Sequence, residues 1–435
     1  RGLPQLEAGA GSTNTAWTFH DDEDVLDMWR MFVVAKAKYK NAFDLGQLID
    51  TRARRRIVGD VRLMPMDIQN KRTFPDTIVV SKSNFDNHGF SSHTIFMIKP
   101  PDHAGLVANV PYRCLLPKGF DGILVTGLGI SAHGDAMPVL RMQPDIQNQG
   151  YAAGTAAAMV VKAGSSTRDV DIKTLQKHLI AKGNLPEGVR TAKDSYPISE
   201  AKIAAAVKSV AKNYNGISVI LAQPREAIKP LVAAHRSAEP GPRKVIYAHI
   251  LGMLHEPAGA DTLVDAVQAG KWDKGWNFRG MGQFGRTTSS MDNLVIALGR
   301  TGQSRGLEAI LEKVTQLTPR SEFSHYRAVS MALETLGDSR GAKPLADLLK
   351  GEGVAGHAFV EIKDVRSRTP ASRVDTSTRN NSLRELILAR ALYRCGDYEG
   401  LGKKILRQYA GDLRGHYSRH AAAVLAEKKP ATIRK

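Results

Sequence analysis

The chain has 435 residues and a formal net charge of +18, with 42% hydrophobic and 24% charged residues. Such a length exceeds what one hydrophobic core serves, so two or more domains are expected, with the composition of a globular protein. No apolar run reaches the ~18 to 20 residues of a membrane span, and the basic residues are spread out apart from Arg52, Arg54, Arg55 and Arg56. No nucleic-acid-reading element accompanies that cluster, so nucleic acid is set aside as a partner.

Residues 1–14 are Gly-rich and read as loop. From Asp21 to Ala42, Val25, Leu26, Met28, Trp29, Phe32, Val33 and Ala37 recur at three- and four-residue steps and predict an amphipathic helix. Arg56 to Met64, Thr77 to Ser81 and Ser92 to Ile98 then read as extended segments of a small β-rich subdomain, separated by Asn, Asp, Pro and Gly turns. The loop SNFDNHGFSSH carries Asp86, His88 and His93. Its histidines can hold a metal, act as acid and base, or make loop hydrogen bonds. His133 is a third candidate. Cys114 and Cys395, the only cysteines, make neither a metal spacing nor a disulfide framework.

Asp121 to Met159 is the stretch that most concentrates chemistry. A short strand is expected over Gly122 to Thr126, followed by Gly127-Leu-Gly129-Ile-Ser-Ala132, which matches the dinucleotide fingerprint in its Gly/Ala form. That fingerprint needs a helix at once and an acidic residue about 20 positions on, after a second strand. Here Pro138 precedes any helix, so the turn is rejected as a phosphate loop. The helix is expected to start near Gln143-Pro144-Asp145, where proline suits the first turn and free N–H groups can receive an anion or a carbonyl. Gln149, Gly150, Ala153, Gly154 and Ala157 give it a flat face.

The run PYRCLLPKGFDGILVTGLGISAHGDAMPVLRMQPDIQNQGYAAGTAAAM resembles the carboxyl-terminal flavin-binding segment of the bacterial FAD-dependent oxidoreductase family, within the glutathione-reductase-like two-dinucleotide-fold superfamily. DTRARRRIVGDVRLMPMDI and FPDTIVVSKSNFDNHGF resemble its substrate-cap strands, and the likeness reaches KTLQKHLIAKGNLP, covering the first half of the chain. The resemblance implies FAD as cofactor, with Gly127, Gly129, Ser131, Ala132, His133 and Asp135 lining it. Gln143, Pro144, Asp145 and Gln147 would form the helix start beside the flavin carbonyl, and Gly150 and Gly154 the close-packing face. Arg113 and Arg141 would stabilise charge near the ring. A helix amino end suits the pyrimidine edge, which is negative in reduced flavin.

This family opens with a strand, a Gly-x-Gly-x-x-Gly turn and a helix that hold the ADP half of FAD, and no such segment precedes Asp21. A second chain or a precursor segment is therefore expected to supply that half, and the chain is read as a subunit or processed piece. The first residue is Arg1, not Met, and secretion is common among such relatives, so a periplasmic or secreted location is expected, otherwise a cytoplasmic one.

After Pro186 the character changes. The expected division is 1–187 for the partial flavin-binding and β-rich substrate-cap domain, 188–198 for a linker, and 199–435 for a HEAT-like α-solenoid. The fold class is thus α/β plus all-α. Related turns recur at 221–225, 254–259, 302–306, 337–341 and 396–400, each between Ala/Leu-rich helices. Gly351 to Asn381 reads as a long loop. Gly270 to Ser290 carries Trp272, Trp276, Phe278 and Phe284, which suit sugar binding, partner binding or packing.

Two functions compete. In the first, hydride passes from a saccharide-like or anionic small molecule to flavin, with His88, His93 or His133 removing a proton and Arg113 orienting the substrate. The alternative is a non-catalytic HEAT-type scaffold with a degenerate flavin domain. An oligomer is expected in either case.

Overall fold

A computed structural model describes residues 25–38, 55–85, 91–100, 105–276, 287–367 and 377–427. The elements in the first half are α1 (Val25–Lys38), α2 (Pro65–Gln69), β1 (Thr77–Ser83), α3 (Thr94–Ile98), β2 (Leu106–Pro111), α4 (Met137–Leu140), α5 (Gln143–Ala163) and α6 (Ile172–Ala181). Then come α7 (Glu200–Val210), α8 (Ile217–Ala222), α9 (Pro224–Ser237), α10 (Pro242–Met253), α11 (Ala260–Ala269), α12 (Ser290–Arg300), α13 (Leu307–Thr315) and α14 (Phe323–Leu336). The last are α15 (Ala342–Lys350), α16 (Ile362–Arg366), α17 (Ser377–Arg394), α18 (Leu401–Ala410) and α19 (Gly415–Ala426). Among the described residues no helix is long and apolar enough to cross a membrane.

Packing divides the chain into two compact units: Arg52–Tyr247 with Gln283–Thr287, and Arg1–Thr51 with Ala248–Gly282 and Thr288–Lys435. In the first, β-branched residues of β1 pair antiparallel with β2, placing Val79 opposite Val110 and Ser81 opposite Ala108. This is the one sheet among the described residues. Its core includes Ile78, Val79, Val110, Phe74 and the Phe85–Phe96 pair, whose rings meet edge to face at 4.8 Å. Helix α5 starts at Gln143 with proline in its first turn and ends on Gly164, whose φ of 60° is the left-handed cap glycine tolerates. Its buried face, Asp145, Gln149, Ala152, Ala153 and Ala156, packs against β1.

Two expected strands are absent. Ser92 to Ile98 folds into α3, because the His93 side chain accepts the Ile95 amide and caps a helical turn. Gly122 to Thr126 forms no strand, and within it Val125 N donates to the Leu115 carbonyl. The strand β2 was not expected from the sequence, and Arg56 to Met64 runs irregularly, with two isolated bridges, Gly59 to Pro117 and Leu63 to Ala132.

The stretch 188–198 lies within the first unit and is tied to it. Arg72 grips Asp194 with Nε at 3.0 Å and Nη2 at 2.9 Å, Thr73 Oγ1 donates to the Lys193 carbonyl at 2.7 Å, and Asn70 donates to Tyr196 Oη at 2.9 Å. Helices α7 to α9 also belong to this unit.

The second unit is built from helical hairpins. Each of the turns expected at 254–259, 302–306, 337–341 and 396–400 contains one short 3₁₀ turn: Pro257–Gly259, Ser304–Gly306, Ser339–Gly341 and Tyr398–Gly400. The turn at 221–225 differs: α8 and α9 join directly through Gln223. Glycine at the end of a turn permits close return: a Cβ on Gly306 would sit 2.7 Å from Leu298 Cδ1. The stretch expected as loop from Gly351 holds α16 and the start of α17. Glu385 pins it by accepting the Gly356 and His357 amides, each at 2.8 Å.

Residues 270–276 are packed within this second unit. Asp273 accepts the Ser290 and Met291 amides at 2.9 and 3.1 Å, capping α12. Trp276 N donates to Ser324 Oγ at 2.9 Å and its carbonyl accepts the Ser324 amide at 3.1 Å, and Trp272 lies 4.3 Å from the His325 ring, which bonds to buried Asp292 at 2.7 Å. Phe278 and Phe284 lie outside the described residues.

Candidate functional site

The site grows from backbone pairing. Residues 57–63 run between two partners: Asp60 N and Val61 N donate to the Leu116 and Arg113 carbonyls, while Ile57 N and Leu63 N donate to those of Gly129 and Ser131. His133 N returns a bond to the Leu63 carbonyl at 2.8 Å. Ser131, fully buried, adds its Oγ as acceptor for Gly59 N at 3.0 Å, and Ala132 is buried beside it. The segment Gly129 to Asp135 is thereby fixed in place.

The turn before it is a 3₁₀ turn, Gly127–Gly129, in which Gly127 has φ of +67°. Gln149 of α5 is buried and accepts the Gly127 amide on Oε1 at 3.0 Å while donating Nε2 to the Leu140 carbonyl at 3.0 Å. The turn is thus keyed to α5; Pro138, expected to precede any helix, instead lies in the first turn of α4.

Beyond the turn, Asp135 organises two histidines. Its Oδ2 accepts the Ser92 amide at 2.8 Å and the His93 amide at 2.6 Å, and its own amide donates to His133 Nδ1 at 3.1 Å. The His93 and His133 rings meet edge to face with centroids 5.0 Å apart. Arg56 closes the cluster: a Cβ on Gly134 would lie 3.5 Å from its Nη2. Burial lowers the His133 pKa, and Arg62 and Arg56 act in the same direction against Asp135. Burial also lowers the Arg56 pKa, aided by Arg62. Burial and the two guanidinium groups thus disfavour the charged His133 ring, while the Asp135 carboxylate, 3.9 Å from Nδ1, favours it.

Arg113 stands elsewhere. Its fork closes on Asp76 through Nε and Nη2, each at 2.9 Å, and its amide donates to the same carboxylate at 3.1 Å. Arg141 follows α4 as its C-cap. Asp145 is buried in the first turn of α5 near Ser81 and the Lys82 backbone, and burial raises its pKa. Gln143, Pro144, Gln147, Gly150 and Gly154 are exposed, and a Cβ on either glycine would meet nothing within 4 Å. His88 and Asp86 lie outside the described residues. Cys114 is buried, and burial pushes its thiol far above the ordinary range, so it is no nucleophile. Among the described residues no group of His, Cys, Asp and Glu could hold a metal ion.

The structure thus brings together His93, His133 and Asp135, and separately Gly127 with α5. Sequence reasoning missed Arg56 and Arg62 as site residues. Arg56 ends the basic run before Ile57, read only as surface charge, and Arg62 lies in the segment read as extended.

Residues 17–179 match the family model described as FAD dependent oxidoreductase. The match supports flavin oxidoreductase chemistry in general, and FAD is the cofactor this family implies. Among curated proteins and among solved structures, no match to the chain was found.

Within the matched stretch, Gly129 to Asp135 carries one of the two edge-to-face imidazoles, and Arg56 and Arg62 act electrostatically on it, a positive setting of the kind an electron-rich ring edge calls for. Gly127 itself is buried, and a Cβ on it would meet Ile146 Cγ2 at 3.5 Å.

Proposed function

We propose that the first unit is the ring-facing part of an FAD-dependent oxidoreductase acting on a small anionic or saccharide-like molecule. The observation that carries this reading is a coincidence of place: the stretch matching the family model contains the cluster His93, His133, Asp135, Arg56 and Arg62. Bound FAD supplies a hydride acceptor. The chain's residues do the remaining work: Gly129 to Asp135 pass along the ring, and Arg56 and Arg62 orient an anionic group. Arg113, engaged by Asp76, holds the 113–118 segment in register and is a positioning residue.

A segment carrying the Gly-x-Gly-x-x-Gly half, from a second chain or a longer precursor, completes the site in this reading. Supporting it is the exposed face of α5, where Gln147, Gly150 and Gly154 leave open space for a close-packed backbone. The hairpins of the second unit are read as HEAT-like repeats that dock a partner. Their alternative role as a pure scaffold is favoured by the one observation that their polar clusters, such as Asp292 with His325, are buried. Mass spectrometry of the intact native complex tests the proposal: FAD with a companion bearing the Gly-x-Gly-x-x-Gly segment is expected, and a companion-bound chain without FAD contradicts it.

A further inference from the structure

Gly122 to Thr126 has the composition of a strand and is held at both ends. At its start the Phe120 carbonyl accepts Arg168 Nη2 at 2.9 Å, and Thr167 Oγ1 takes the Gly122 amide at 3.2 Å while donating to Asp121 Oδ1 at 2.6 Å. At its end Gln149 takes the Gly127 amide at 3.0 Å. Between these anchors, one backbone bond joins it to the rest of the unit among the described residues, Val125 N to Leu115 O at 2.9 Å. Thr126 is extended, with φ of −119° and ψ of 174°. Along an extended chain the N–H and C=O groups of neighbouring residues point to opposite sides. With Val125 turned to Leu115, Leu124 and Thr126 therefore turn away from it. The Leu124 N–H and C=O and the Thr126 N–H have no hydrogen-bond partner among the described residues.

Open edges are ordinarily guarded by charge, proline or a bulge. Residues 122–132 contain neither a charged residue nor a proline. The large apolar side chains exposed here are Phe120 and Ile123, 65% and 47% accessible. We propose that this edge receives an extended, uncharged strand of a second polypeptide, which adds to it by backbone pairing at Leu124 and Thr126. A second copy of this chain is the poorer occupant, since each carries a net charge of +18 and two copies repel. The edge runs into the Gly127 turn, which Gln149 bonds to α5, and α5 presents the open Gly150 and Gly154 face assigned above to the companion. The identity of the strand's owner as that companion rests on the proposed function. The anchoring at both ends means that little ordering cost remains when the strand arrives.

The test compares the native complex, companion chains retained, with the isolated full chain by amide hydrogen exchange. Leu124 and Thr126 amides are expected to exchange fast in the isolated chain and about 100-fold or more slower in the complex. The Gly127 amide, held by Gln149, should be protected in both and reports that the unit is folded. Equal exchange at Leu124 and Thr126 in the two samples overturns the proposal, as does a chain that leaves its source without a companion. Protection in the isolated chain that fades on dilution assigns the edge to a second copy and overturns it too. Ile123→Lys puts a charge on the edge and should weaken retention of the companion about tenfold or more, with Gly127 still protected. Val107→Lys, at a valine of β2 that is 37% accessible, should leave retention unchanged. Equal losses in the two variants, or none in either, contradict the proposal. Flavin absorbance of the same complex is read separately. Flavin with Leu124 unprotected removes this contact and leaves the oxidoreductase reading; protection without flavin does the reverse.

Discussion

Gln149 holds the Gly127 amide from 22 residues away, Oε1 to N at 3.0 Å, and is wholly buried while doing so. Its other end takes the Leu140 carbonyl. Gln149→Leu therefore strands one buried donor and one buried acceptor, each worth about 1 to 3 kcal/mol. A loss of roughly 2 to 5 kcal/mol is expected, read from the urea midpoint of the first unit. A loss under about 1 kcal/mol would show that the turn is held by other contacts.

Asp135→Ala removes the acceptor of the Ser92 and His93 amides. Hydrogen bonds to a charged group contribute about 1.5 to 3 kcal/mol each, so the variant should lose about that much or more. Amides of α3 should exchange faster, because the approach to the His93 cap is loosened. Unchanged exchange there would remove Asp135 from its positioning role.

In the second unit a Cβ on Gly299 would sit 2.4 Å from Ala332 Cα, backbone against backbone on α14. Gly299→Ala gains about 1 kcal/mol of helix propensity and loses more to overpacking, typically about 1 to 3 kcal/mol. Net destabilisation is expected by chemical denaturation. A stabilised variant would mean that α12 and α14 separate freely.

His249 is fully buried, and burial first, Arg300 second, push its pKa down to about 4. The folded value lies below the unfolded one, so the unfolded chain takes the proton first and stability falls as pH drops from about 6.5 towards 4. The whole shift is worth about 3 kcal/mol. His249→Gln cannot charge, so the stability difference between it and the native chain should shrink across that window, followed by hydrogen exchange of α10. A difference constant with pH would contradict the burial argument.

Local signals were legible in the sequence and distant ones were not. Pro144 located the start of α5, and the repeated Gly-x-Ser-Arg-Gly words located the turns at 302–306 and 337–341. Ser92 to Ile98 was misread as extended because its helical turn depends on Asp135, 42 residues on from His93. Gly122 to Thr126 has strand composition, yet Val125 N to Leu115 O is a single backbone bond and not a ladder. At the site, His93 and His133 stood out by residue type. Arg56 did not, because only the fold brings it to Gly134. Arg113 stood out too, but Asp76, 37 residues earlier, already takes its fork.

The most direct measurement is the visible absorption spectrum of the complex purified from its source with companion chains retained. Oxidised-flavin absorbance at one FAD per chain, bleached on adding a small anionic or saccharide-like reductant, is the predicted result. A complex with its companions intact and no flavin absorbance would contradict the account.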